Sequence, residues 1–512
     1  ILKKNHEIIQ VAESFQAQDQ KKYNDTVELM NSGANIIYQG VLHDTKNNLY
    51  GCPDLLVRSD KINSIFGYNI IEQEYEKIYS PNLGQNYYYI VIDIKSSTLQ
   101  LMANGKNLRN SNSMPAYKAQ LYIYNKIVSE IQGFESRYSF ILGKKWYYHK
   151  NNICYQGSNC LNKLGEIDYE NIDKEYIQKT NAAIEWIKKL RTKGDTWHLL
   201  PKPSVEELYP NMKNERDGNF RRIKNELNKK ISDVTEVWMC GVKKRRIAHE
   251  NKIFSWKDKD CNAKALNFKN GMVHDTVNQI LQINQQNKEK IRVNTLLQDT
   301  TWRKCKSDEM EFFIDFETLN SNIGEFESND DCKNIIFLIG VGWLENNEWK
   351  FKKFLCRNFS IQSEYVMLNN FHSFINQKIQ SLNKRAGVFL HWTCAEPINY
   401  TKALKRHDLN TEIKFYDLYE LFKRNKIVIN GALNFSLKTI SKSLKKYNFI
   451  ETIWDSNSLC SNGLNAMLLA YKLYKKNNTV TGKEPVMNDI IKYNEIDCKV
   501  LMEILQYLRD NY

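Results

Sequence analysis

Two hydrophobic periods divide the 512 residues into regions of different texture. Residues 87–94 (YYYIVIDI) form a near-continuous β-branched and aromatic run, the pattern of a strand buried on both faces. Residues 115–131 carry Leu121, Tyr124, Ile127, Val128 and Ile131 at helical spacing, with Pro115 placed for a helix start. A long polar helical segment is expected ahead of these, so residues 1–150 read as helix, strands, then helix. Residues 151–305 are rich in lysine, asparagine and helix formers, with helical pattern over 167–191 and 221–230. The basic run Lys243-Lys244-Arg245-Arg246 reads as a solvated charged loop. From residue 310, apolar runs at 312–316, 335–343, 388–392 and 414–418 alternate with amphipathic helices. The last helix spans 490–508, with Ile491, Ile496, Val500, Leu501, Ile504 and Leu508 on its apolar positions. The expectation is an α/β protein of three parts: 1–150, a mainly helical connector at 151–307, and an α/β domain at 308–512.

Composition narrows the function. Hydrophobic residues make up 42% and charged residues 26%, enough apolar material for several cores and too much for a disordered chain. No run of about 18 apolar residues suggests a membrane span. Residues 1–10 lack an apolar signal core, so an intracellular chain is expected, cytoplasmic or nuclear and not secreted. Its 11 cysteines include no C-x-x-C and read as reduced thiols. Lys+Arg 73 against Asp+Glu 59 gives a net charge of +14, which favours an anionic partner such as nucleic acid. No Walker-type phosphate loop occurs, which argues against an ATP motor.

Chemistry concentrates at two places. In the first, Asp93 and Lys95 end the run at 87–94 and project from one strand face. A carboxylate there can hold Mg²⁺, while the ammonium positions water and stabilises phosphate charge. Upstream, Gly51-Cys52-Pro53-Asp54 offers a second carboxylate just before another strand. Downstream, Gln120 and Tyr124 are four apart and share one helix face, able to hold a phosphate or base beside the metal. The ordered set G-x-x-D, D-x-K, Q-x-x-x-Y resembles the PD-(D/E)XK nucleases of the RecB and CRISPR-associated exonuclease type. The resemblance implies a restriction-endonuclease-like core with Asp54, Asp93, Lys95, Gln120 and Tyr124 in the active site. It also implies an acid on the first helix, matched by Glu7 as a metal ligand beside Asp54 and Asp93. Relatives of this type often bind an iron–sulfur cluster. Here Cys154 and Cys160 match two of its ligands, but Asn151 replaces a third, so no cluster is expected.

In the second place, Asp315 and Glu317 share a face of the strand at 312–316 and its continuation. About 180 residues later, Tyr493 and Asp497 lie one turn apart on the terminal helix. Two strand carboxylates and a helix aspartate can bridge two divalent ions, with the tyrosine hydroxyl orienting water. This arrangement resembles the RNase H-like 3′–5′ exonucleases of the DnaQ or DEDDy kind. The middle acid of that pattern is open: Glu396 follows His391-Trp392-Thr393-Cys394-Ala395, and Asp417 ends the next strand. A substituted middle acid implies weak rather than full activity there.

Together the resemblances imply a Mg²⁺- or Mn²⁺-dependent deoxyribonuclease, exonucleolytic on DNA ends, in DNA processing or defence against foreign DNA. DNA, single- or double-stranded, is the expected partner, with a helicase and a homo-oligomer as further expected associations. The alternative is a catalytically weak nucleic-acid-binding scaffold of a helicase–nuclease complex.

Overall fold

A computed structural model describes residues 6–512 apart from 216, 294–301, 304–305, 320–334, 456–457, 461–462 and 478. The chain forms two compact units, residues 1–197 and 198–512.

The first unit contains β1 (Ile9–Gln10), α1 (Gln20–Ser32), β2 (Ile36–Tyr38), β3 (Leu42–Asp44), β4 (Leu49–Gly51), β5 (Leu55–Arg58) and α2 (Ser59–Phe66). There follow β6 (Tyr89–Gln100), α3 (Met114–Gln132), β7 (Tyr138–Lys150), β8 (Ile153–Gly157), β9 (Gly165–Asp168) and α4 (Glu175–Lys193). The long polar helix expected at the start begins only at Gln20. Asp19 caps it there, its carboxylate accepting the Lys21 and Lys22 N–H groups. The main sheet has the order β1-β2-β5-β6-β7-β8, with β9 on the first half of β7. β5–β6 is antiparallel and β6–β7 parallel, with α3 as the crossover. Alternation along β6 sends Tyr89 and Val91 toward α3, where Leu121, Tyr124 and Val128 meet them. Ile90 and Ile92 face a second core with Ile62 of α2 and Phe140. Strands β8 and β9 carry the sheet past residue 150 to Asp168. A fully buried Lys118–Asp173 ion pair fixes α3 to the segment leading into α4.

The second unit begins with α5 (Arg221–Ile231), α6 (Val242–Glu250), α7 (Met272–Gln286) and β10 (Ile291–Arg292). Its central sheet is β13-β12-β11-β14-β15, built from β11 (Glu309–Leu319), β12 (Ile335–Glu345), β13 (Glu348–Leu355), β14 (Ala386–His391) and β15 (Lys414–Asp417). β11 to β13 are antiparallel neighbours, while β14 and β15 run parallel to β11. The helices are α8 (Ile361–Ser381), α9 (Ala395–Arg406), α10 (Leu418–Arg424), α11 (Leu437–Lys446), α12 (Gly463–Lys476) and α13 (Pro485–Asn511). A short β16 (Val428–Ile429) pairs with β10. Phe312, Ile314 and Phe316 enter one core with Phe371 and Ile490, and Phe313 enters the other with Val277, Leu281 and Leu501. Residues 234–283 are therefore part of the layer that covers one face of this sheet.

The basic run at 243–246 is a correction to the loop expectation: it lies within α6. Helical periodicity turns Arg245 inward with Ala248, leaving Lys243 and Arg246 exposed. Arg245 donates to the Tyr209 and Pro210 carbonyls at 3.2 and 3.3 Å and lies 3.7 Å from Asp233.

Candidate active sites

In the first unit, Asp54 sits immediately before β5, and Asp93 and Lys95 lie in the middle of the adjoining β6. Asp54 accepts the Ile94 N–H at 2.6 Å through one carboxylate oxygen and the Gln39 side-chain amide at 2.6 Å through the other. The Lys95 ammonium pairs with Asp93, donates to Gln120 Oε1 at 3.2 Å and lies 4.7 Å from the Tyr117 ring centroid. Gln120 in turn donates to the Tyr124 hydroxyl at 2.7 Å. The five residues Asp54, Asp93, Lys95, Gln120 and Tyr124 thus form one connected set. Burial, with the adjacent Asp93 carboxylate, pushes Asp54 up to about 6, against the opposing Ile94 N–H and Lys95. The same surroundings push the Cys52 thiol up to about 11, chiefly through burial.

Glu7 is exposed on the lead-in to β1, not on a helix. It does not join Asp54 and Asp93 in a three-ligand cluster. Gln39 is a member of the site that sequence reasoning passed over. It adopts φ +55°, binds the Asp54 side chain and backbone carbonyl, and accepts the Cys52 thiol at 3.4 Å. A strained non-glycine residue braced against a carboxylate is visible in three dimensions alone. Cys154 is exposed on β8, and the side chain of Cys160 lies outside the described residues.

In the second unit, Asp315, Glu317 and Asp497 each offer a carboxylate oxygen, and these atoms all lie within 4.8 Å of one another. Alternation along β11 puts the first two on one face, and α13 delivers Asp497 to it. Asn494, one turn before Cys498 on α13, donates to the Asp315 carboxylate at 2.7 Å and to its carbonyl at 3.0 Å. This contact requires Gly340 in the neighbouring β12, where a Cβ would stand 1.7 Å from Asn494 Oδ1. Removal from water and mutual repulsion push Asp315 and Glu317 well above the usual carboxylate range. Asp497 is pushed up to about 7 by burial, opposed by Lys438 and by the Tyr493 hydroxyl beside it.

Residues 312–509 match the RNase_H superfamily model. No curated protein and no solved structure matches the chain.

The RNase H-like segment contains every member of the carboxylate cluster, and the match points to a nuclease-type function acting on nucleic acid. Its two possible middle acids are in different circumstances. Asp417 is the N-cap of α10: one oxygen accepts the Tyr419, Glu420 and Thr393 N–H groups at 2.8, 3.4 and 3.0 Å. Glu396, at the start of α9, is buried, and its charge is felt at Asp315, Glu317 and Asp497. Its Oε2 lies 3.5 Å from His391 Nδ1, which opposes the upward push of burial on this carboxyl group.

Divalent metal is the group this superfamily implies, and the residues fit it. Three convergent carboxylates, with the buried Glu396 carboxylate near enough to raise all three, are the hard oxygen ligands such a cation takes. Lys438 of α11 is the cation closest to hand: half-buried, 4.8 Å from the Tyr493 ring centroid and electrostatically coupled to Asp497 and Glu317. Its coupling to Asp497 is set by the fold, since α11 and α13 are distant in sequence. Among the described residues, no helix is long and apolar enough to cross a membrane.

Proposed function

We propose that the protein is a divalent-metal-dependent nuclease that hydrolyses DNA phosphodiester bonds from ends. The observation that carries this reading is the convergence of Asp315, Glu317 and Asp497 within the RNase H-like segment. Mg²⁺ or Mn²⁺ held by these three, with Glu396 opposite, would supply Lewis-acid stabilisation of the phosphate. Tyr493 beside Asp497 is placed to orient the attacking water, and Lys438 to offset the negative charge of phosphate in the cluster.

The first unit is read as a second centre of PD-(D/E)XK type. Its order α1, β2, β5, β6, α3, β7 and its connected set of five residues support that assignment. Asp54 and Asp93 are its metal carboxylates. Lys95, positioned by Gln120 and Tyr117, stabilises charge on the scissile phosphate. The division of labour is exonucleolytic processing of DNA ends, alone or beside a helicase.

The test uses end-labelled linear DNA, closed circular DNA and RNA with Mg²⁺, Mn²⁺ or EDTA. Metal-dependent release of mononucleotides from linear DNA, with the circle intact, is the expected result. No cutting of any substrate with either metal overturns the reading in favour of a binding scaffold.

A further inference from the structure

The strands β7 and β8 run on beyond the sheet core as a hairpin. Asn151 and Asn152 close it, with φ of +51° and +61°, the left-handed pair that a two-residue turn of matching twist requires. Surface hairpins of this kind are ordinarily polar. Here Trp146 and Tyr148 lie with rings nearly parallel, centroids 6.1 Å apart and planes 19° apart. Tyr155 continues the stack from the partner strand, 4.9 Å from Tyr148 and 9° from its plane. Tyr155, the last ring, is 40% exposed, and its neighbours on β8 are exposed as well. At the other end Lys163 stands 5.0 Å from the Trp146 ring centroid.

Charge points the same way. Residues 136–165 contain no aspartate or glutamate, and neither do residues 94–129, which begin directly after Asp93. On the hairpin itself Lys144 and Lys150 are exposed. A hairpin without acidic residues, whose exposed side chains include two lysines and the outer ring of an aromatic stack, suits a flexible polyanion with π-faces. A duplex hides its base faces, and a peptide partner would need acidic side chains to meet the lysines.

We propose that the β7–β8 hairpin is a binding platform for single-stranded nucleic acid, with a base stacking on Tyr155 and backbone phosphates on Lys144 and Lys150. The inference rests on reading residues 1–197 as a nucleic-acid enzyme and assigns them a strand-holding surface apart from the cutting residues. β7 pairs with β6 through Asp93 and Lys95 before it becomes the hairpin, so one strand pair carries both features.

Fluorescence anisotropy of the full chain in EDTA, with labelled oligo-dT, oligo-U and a duplex, tests it. Tyr155→Ala should weaken single-strand binding about tenfold. Lys144→Gln with Lys150→Gln should flatten the salt dependence of log K by roughly 1.4, about 0.7 for each phosphate contact. Both variants alter exposed side chains, and unchanged melting temperatures confirm that they fold. Whichever single strand binds more tightly names the sugar. Wild-type affinity in both variants, or a duplex bound as tightly as the single strands, overturns the proposal and leaves the rings as a brace for the hairpin. Cutting assays on the same chains with Mg²⁺ or Mn²⁺ separate the two readings. A chain that binds through the hairpin and never cuts would retain the platform and lose the nuclease.

Discussion

The ring of Tyr124 lies directly over Gly51, so close that a Cβ on residue 51 would sit 2.2 Å from Tyr124 Cε1. The glycine of G-x-x-D and the tyrosine of Q-x-x-x-Y are therefore two halves of one contact. Gly51 is glycine because the ring occupies the place of its side chain, and the ring is held there by the helix that also carries Gln120.

Gly51→Ala should push the Tyr124 ring off its site and loosen the Gln120–Lys95 hydrogen bond. Overpacking of this kind costs about 1–3 kcal/mol. Thermal melts should register that loss, and cutting by the first unit should fall further than the stability change explains. Wild-type cutting in Gly51→Ala would show that the Tyr124 contact is structural only.

The middle acid of the second centre is decided by two substitutions. Glu396→Gln should reduce cutting by the second unit about 10²-fold or more, because the carboxylate facing the cluster is lost. Asp417→Ala removes a helix cap and should cost about 0.5–2 kcal/mol in stability, with cutting by the folded protein retained. The opposite pattern in paired activity and melting measurements would assign the role to Asp417.

Metal-free stability should depend on pH in a defined direction. Asp497 is raised from 3.8 to about 7 in the folded chain, and Asp315 and Glu317 are raised as well. A raised carboxylate contributes stability that is full below its unfolded value and lost as pH rises through its folded value. The melting temperature of the second unit in EDTA should therefore fall as pH rises from about 4 to about 7. Mg²⁺ should abolish the fall by replacing protons with metal charge, and titration at pH 7 in a weak buffer should show proton release. A flat melting profile in EDTA would contradict the carboxylate repulsion described here.

The first centre should respond at lower pH. Asp54, held at about 6, must lose its proton to bind metal. Cutting by the first unit should rise as pH increases through about 6, and excess Mn²⁺ should shift that midpoint downward. A midpoint near 4 would place Asp54 in a far wetter setting.

Much of this was legible in the sequence because strong periodicity is local. The run at 87–94 is the start of β6, the pattern at 115–131 is α3 within a residue at either end, and 490–508 lies inside α13. The runs at 312–316 and 335–343 lie within β11 and β12, and the run at 388–392 overlaps β14, which ends at His391. Residues 414–418 stop as a strand at Asp417, because its carboxylate caps the following helix. The parts that escaped depend on contacts distant in sequence. Gln39 acts on Asp54 across a strand pair, Lys438 faces Asp497 from another helix, and Arg245 is buried by Tyr209 and Asp233. No window of the sequence contains both members of any of these pairs at a telling spacing.

The most direct test of the central claim is Mg²⁺-dependent cutting of end-labelled linear DNA by four chains: wild type, Lys95→Ala, Asp315→Asn with Asp497→Asn, and all three changes together. Two metal-dependent centres predict partial loss in each of the first two variants and no cutting in the combined one. Cutting by the combined variant at the wild-type rate would contradict the account.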